Sequence, residues 1–199
     1  MPPTINSINS TIPIEISKGG TNAASFSTAT GIVKYDGTSL VTSTTATIDA
    51  SNRMRNTAQP AFNSGIMNAF VNNITGDGTA YALVSDVERF DQNNNFNGTT
   101  TFTAPKTGKY LFVVQTQPSG LSSVFTYGSI DIVTTSATYR FLCNIGAAIY
   151  VNFRTISINA LCPMTAGDTA TFVLTVSGGT KVVDIQNSET NIFCSTLAC

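Results

Sequence analysis

The chain has 199 residues, 42% hydrophobic and only 11% charged, with a formal net charge of −1. The ten Lys and Arg are scattered singly, so no basic stripe exists to gather phosphates and nucleic acid is not an expected partner. A charged share well under the roughly 25% of an ordinary soluble chain leaves the exposed faces to Thr, Ser and Asn, a composition that favours strands and turns over helices.

The absence of His removes the commonest general base, the Ser-His-Asp and Cys-His arrangements and most catalytic zinc sites. Neither enzymatic activity nor a cofactor is expected. Paired carboxylates can hydrolyse glycans without His, and Asp77, Asp86, Glu88, Asp91, Asp131, Asp168, Asp184 and Glu189 are available; no spacing singles out a pair. Cys143, Cys162, Cys194 and Cys199 show no C-x-x-C spacing. Buried free thiols or one or two disulfides are the alternatives, Cys194 with Cys199 being one candidate pair.

Residues 1–17, "MPPTINSINSTIPIEIS", have no cationic region ahead of an apolar run, so no cleaved secretory signal is expected. The most apolar stretch, "FLCNIGAAIYV" at 141–151, is too short to span a bilayer, and membrane insertion is not expected. Residues 1–58 read as small and polar, with apolar doublets separated by Gly and no 3.6-residue stripe. "DG" at 36–37 sits between "GIVKY" and "TSLVTS" as a two-residue hairpin turn would. One hairpin buries too little to be stable alone, so this segment must lean on the following domain or on copies of itself.

From residue 59 onward, strands are predicted near 61–71, 80–84, 96–103, 108–117, 124–135, 137–143, 147–160, 169–176, 180–186 and 190–198, with Gly, Pro, Asn or Asp at most junctions. The polar runs 72–81 and 89–98 are read as loops. This series predicts an antiparallel all-β sandwich. In "GKYLFVVQTQ", Tyr110, Phe112 and Val114 point to one side and Leu111 and Val113 to the other. In "DTATFVLTV", Phe172, Leu174 and Val176 oppose Val173. Strands apolar on both faces point to a sheet covered by another subunit, with Tyr110, Phe112, Phe172 and Leu174 as interface or core anchors. Alternation does not say which face looks outward.

"FDQNNNFNGTTTFTAPKTGKYLF", followed some sixty residues later by "AGDTATFVL", resembles the globular head of complement component 1q, a member of the tumour necrosis factor-like jelly rolls. The matching positions are Phe102, Pro105, Gly108, Tyr110 and Phe112, then Gly167, Asp168 and Phe172, and the resemblance covers roughly residues 60–199. It implies a jelly-roll head, three of which pack around a threefold axis. Pro105 suits a turn, Gly108 its exit, and Asp168 can accept backbone donors. "IPIEISKGGTNAASFSTATGIVKYDGTSLV" is similar to segments that precede the terminal knobs of phage tail fibres, giant-virus surface proteins and bacterial surface fibres, which makes 1–58 a neck or shaft-like attachment and 59–199 a head.

Asp77 with nearby carbonyls could hold calcium, but that ion wants about six to eight oxygens and turn chemistry is the better reading. Asn9, Asn73 and Asn97 lie in N-x-S/T sequons, taken as coincidental without a secretory route. The loops around Asn93, Asn95 and Asn97, from Gln117 to Ser123 including Ser119, and from Ser177 to Lys181 are the candidate ligand loops. The expected protein is a non-enzymatic homotrimeric fibre or spike head on a virion or bacterial surface. It would engage a host receptor or glycan and hold a capsid or fibre-base protein through 1–58. A secreted cytokine-like or complement-like ligand is the alternative, and a glycan-active enzyme the third.

Overall fold

The structure is a computed structural model that describes residues 31–35, 38, 40–48, 53–146 and 153–198. The chain divides into two compact units, Met1–Ala58 and Gln59–Cys199. In the first, β1 (Gly31–Tyr35), β2 (Leu40–Ile48) and β3 (Met54–Asn56) form an antiparallel meander. Tyr35 pairs with Leu40, so the hairpin connection is four residues, 36–39, rather than two; Asp36 and Gly37 themselves lie outside the described residues, as does the Gly-Gly-Thr-Asn run.

The second unit is built from β4 (Ala61–Gly65), β5 (Val71–Thr75), β6 (Ala80–Ala82), β7 (Val87–Gln92), β8 (Thr101–Thr103), β9 (Gly108–Thr116), β10 (Pro118–Ser119), β11 (Tyr127–Thr134), β12 (Thr138–Cys143), β13 (Ile156–Met164), β14 (Thr169–Ser177), β15 (Val183–Ile185) and β16 (Ile192–Leu197). No α-helix occurs among the described residues. One five-stranded sheet runs β13-β9-β16-β4-β7. The other runs β12-β11-β14-β6, with β8 also on β14. Every pairing is antiparallel, and apart from the β11-β12 hairpin the strands of the two sheets follow one another in alternation, the mark of a jelly-roll sandwich. A short sheet, β10-β15-β5, ties loops together at one end.

Alternation decides what is inside. Tyr110, Phe112 and Val114 from β9 meet Phe172, Leu174 and Val176 from β14, all fully buried. Aromatic rings continue the core as a connected series, with Phe62 stacked on Phe96 at 4.5 Å and on Phe102 at 5.5 Å, and Phe112 edge-on to Phe172 at 5.9 Å. Each such pair adds about 0.5–1.5 kcal/mol beyond the area it buries. The Pro-Lys-Thr-Gly turn is stapled from below: the Tyr110 hydroxyl donates to the Lys106 carbonyl at 2.7 Å. The later Gly-Asp turn closes on the same end. Asp168 Oδ2 accepts from Thr165 N at 2.8 Å, Gly167 N donates to Ala104 O, and Gly167 takes φ +92, a left-handed conformation that disfavours any β-carbon.

Several predicted boundaries shift for identifiable reasons. The 61–71 run breaks after Gly65, where the Asp86 carboxylate takes the backbone N–H groups of Met67, Asn68 and Ala69 and bends the chain away from the sheet. A separate strand, β5, then occupies part of the 72–81 loop. The 89–98 loop contains most of β7, an edge strand whose Glu88, Arg89 and Asp91 mask its alternation; charge on an edge discourages unwanted pairing. In 96–103 only Thr101–Thr103 is strand, with Phe96 bridging Phe102. The predicted 147–160 strand begins at Ile156 and runs on to Met164, with 147–152 outside the described residues. Pro163 is tolerated there because β13 is a sheet edge.

Candidate functional site

The register across the β13-β9-β16-β4-β7 sheet sets out its outer face in rows. One row reads Asn159, Val113, Cys194, Asn63, Phe90; the next reads Leu161, Leu111, Thr196, Ala61, Gln92. Leu111 and Val113 are 39% and 37% exposed, Leu161 49% and Phe90 53%. Among the outward positions of β13, β9, β16 and β4, the one charged side chain is Lys109, at a margin. Single exposed apolar residues are ordinary, but a contiguous uncharged sheet face is not.

The outer face of the second sheet is different. Asp131 and Arg140, cross-strand partners on β11 and β12, form a two-pronged pair with Arg140 Nε to Oδ1 at 2.9 Å and the second nitrogen to Oδ2 at 2.7 Å. This charge-assisted geometry is the strong form of the interaction, and the Asp131 carboxylate beside it holds the guanidinium above its ordinary pKa. β12 is an edge strand that carries Phe141 and Leu142 at 44% and 59% exposure.

The anchor residues are therefore assigned to one role. Tyr110, Phe112, Phe172 and Leu174 lie inside the sandwich; the exposed apolar positions of the outer face are Leu111, Val113, Leu161 and Phe90. Leu161 and Phe90 escaped the sequence reading because one lies past the predicted end of its strand and the other in a predicted loop. The alternation Asn159, Leu161, Pro163 was the signal for the first.

The candidate ligand loops fall at opposite ends of the sandwich. Asn93 and Asn95 follow β7 beside the start of this unit, where Gln92 Nε2 donates to Gln59 O at 2.5 Å and Asn95 Nδ2 donates to Gln92 O. Asn97 lies in a separate turn, its amide oxygen taken up within its own loop, with Gly98 near Glu88 and Thr99 O accepting from Ser85 N. The 117–123 and 177–181 loops sit together at the far end, where β10 pairs with β15 through Pro118 with Ile185 and Ser119 with Asp184. Ser119 is only 3% exposed, so its side chain cannot meet a ligand, contrary to the expectation from loop position. Exposed residues at this end include Ser123, Val124, Phe153, Lys181 and Val182. A β-carbon on Gly120 would press into the Val182 carbonyl, so the two loops touch backbone to backbone.

Asp77 serves a turn: hydrogen bonds from the Thr79 side chain and from Thr79 N, the latter to Oδ1 at 2.9 Å, hold its carboxyl below the ordinary value. No group of three or more His, Cys, Asp or Glu suited to a metal exists among the described residues. Cys143, Cys162 and Cys194 are free thiols; burial pushes all three above the ordinary thiol pKa, Cys162 to about 11. Cys199 lies outside the described residues. No helix of the described residues is long and apolar enough to cross a membrane.

No protein-family model and no curated protein matches the chain. Among solved structures it is similar to the globular domain of zebrafish complement 1qA protein, with 17% identity over 71% of this chain and 98% of that one and a TM-score of 0.48. It is also similar to murine APRIL, with 10% identity and a TM-score of 0.48 in a crystal at pH 5.0, and 9% identity and 0.49 at pH 8.0, each over 70% of this chain and 98% of that one. The jelly-roll assignment rests on the strand order and register described above.

Proposed function

We propose that the chain is a non-enzymatic homotrimeric display protein, with residues 59–199 as a ligand-binding head and residues 1–58 as the neck that attaches to a capsid or fibre-base protein. The observation that carries this reading is the apolar outer face of β13, β9, β16 and β4, whose one charged outward side chain, Lys109, stands at a margin. Left in water, its apolar side chains forfeit burial worth about 25 cal/mol for each Å²; covered by another copy, they become an interface core. A second and different apolar site lies on the β12 edge, where Phe141 and Leu142 are exposed on opposite faces of the strand. Two unlike patches on one chain favour head-to-tail contacts that close into a ring, and the resemblance in the Phe102 to Phe172 motif supports a ring of three.

The end remote from Gln59 is the ligand-facing end in this reading. Its loops are held rigidly by the small sheet, which limits the entropy lost on binding. A host receptor or glycan is the proposed partner, at a virion or bacterial surface. Three unpaired thiols among the described residues support assembly in a reducing compartment over passage through an oxidising one, and so favour the fibre or spike over a secreted ligand. Light scattering of the intact protein at micromolar concentration tests the reading. A mass three times the 20.9 kDa of the chain is expected, and a stable, folded monomer overturns it.

A further inference from the structure

Asn97 and Gly98 form the Asn-Gly pair of "FNGTT", and the fold surrounds them with the parts of a reaction. The Asn97 amide oxygen accepts four hydrogen bonds: from Thr99 N at 3.0 Å, Thr100 N at 2.8 Å, Thr101 N at 3.0 Å and the Thr99 hydroxyl at 3.0 Å. All four neighbours are donors, which fixes this atom as oxygen rather than nitrogen. Successive backbone N–H groups converging on one point make a nest for negative charge, yet a neutral amide occupies it. The loop is closed by Asn97 N donating to Thr101 O and by the Phe96 to Phe102 bridge behind it. On the other side, a β-carbon placed on Gly98 would meet nothing nearer than Glu88 Oε2, at 3.9 Å. The Glu88 carboxylate thus flanks the open side of Gly98 at a distance that leaves room for a water between them.

We propose that this loop deamidates itself at Asn97. Glu88 takes the proton of the Gly98 N–H through one water, and the nitrogen adds to Asn97 Cγ. The carbonyl electrons move onto Oδ1, where the four donors stabilise the negative charge as an oxyanion hole does. Nδ2 takes the proton back from Glu88 and leaves as ammonia, giving a five-membered imide. Water then adds at Cγ, the carbonyl still held in the nest, and the bond from Cγ to the Gly98 nitrogen breaks. The product is an ordinary aspartate in place of Asn97, its carboxylate filling the anion site. Attack at the main-chain carbonyl would instead insert a methylene into the backbone between Phe96 and Phe102 and break their pairing. The modification adds one negative charge to a chain whose formal charge is −1, and it proceeds without a partner, cofactor or subunit contact.

The test is mass spectrometry of the tryptic peptide 90–106 over time, from the folded intact protein and from the same protein held unfolded in denaturant at the same pH. The folded protein is expected to gain one mass unit at Asn97 faster than the unfolded chain, with aspartate rather than isoaspartate as product. Glu88→Gln, on an exposed edge position, is expected to slow the folded reaction by roughly a hundredfold, the usual scale for losing a general base. Thr99→Val, which removes one donor, is expected to slow it as well. A folded protein that deamidates no faster than the unfolded chain overturns the proposal, and so does a rate unchanged in Glu88→Gln shown by circular dichroism to be folded.

Discussion

Asn191 has no solvent exposure and uses every polar atom of its side chain. Its Oδ1 accepts from the Thr116 hydroxyl at 3.0 Å and Gln117 N at 2.8 Å, while Nδ2 donates to Ile66 O at 2.8 Å and Gln186 O at 2.6 Å. One amide thereby joins the ends of β9 and β15 to the bend after β4. Asn191→Ala removes the side-chain partners of the Gln186 carbonyl, the Gln117 N–H and the Thr116 hydroxyl and leaves Ile66 O only the longer bond from Ser188 N at 3.3 Å, and at about 1–3 kcal/mol for each unsatisfied group the loss should exceed about 3 kcal/mol even after partial relaxation. Urea unfolding of the variant checks this through its midpoint. Cys162 gives a second residue-scale expectation. Burial raises its thiol from an ordinary value near 9 to about 11, so the folded state holds a proton that the unfolded chain releases. Stability contributed by this group is complete below pH 9 and is lost as pH rises toward 11. Cys162→Val, close in volume, should flatten the alkaline fall of the thermal midpoint over that window. None of these roles was legible in sequence: Asn191 and Cys162 looked like any other turn residue and thiol, because what defines them is partners up to 125 positions away.

On β9 a single register separates two kinds of consequence. Phe112→Ala removes a ring from the aromatic core and should cost about 3–5 kcal/mol in head stability, read by denaturant unfolding. Leu111→Asp, one position along, should leave the head folded and abolish assembly, because a carboxylate cannot be buried unpaired in the proposed interface; circular dichroism with light scattering separates these outcomes. Cys194, in the outward row between Val113 and Asn63, reports on the same face. It should resist a maleimide in the assembled protein and react in the Leu111→Asp monomer. The alternation of β9 and β14 was readable because large residues at period two admit few other structures. β7 was not, since the charges that suit an edge erase the pattern that reveals a strand. The Asp131 and Arg140 pair lies between these cases. They are the only two charges between Tyr110 and Phe153, and residues nine apart in chain meet across a tight hairpin, so their pairing follows from the hairpin once β11 and β12 are drawn.

For the molecule as a whole, the two ends of the sandwich should behave independently. Phe153→Ser with Val182→Ser at the far end is expected to leave the oligomer intact and to abolish attachment to host cells or to a glycan array. Substitution of Asn93 by Ala, at the end where the head begins, should leave both unchanged. Loss of binding through Asn93 alone would reverse the assignment of the ligand-facing end. The sequence offered both sets of loops equally, because exposure and polarity say nothing about which loops a fold gathers at one pole.

The head also begins and finishes at the same place. Leu197 N donates to Pro60 O at 3.1 Å, and Gln59 Nε2 donates to Leu197 O at 2.6 Å, so the first and last strands enter and leave as hydrogen-bonded neighbours, about one strand spacing of 4.8 Å apart. A polypeptide with this property is a cassette. It can be carried on a stalk, or spliced into a hairpin loop of an unrelated protein whose flanking strands stand at the same spacing, without stretching either host or guest. Exchange of heads between carriers then needs only two cuts, and the loops proposed to bind travel with the cassette at its far pole.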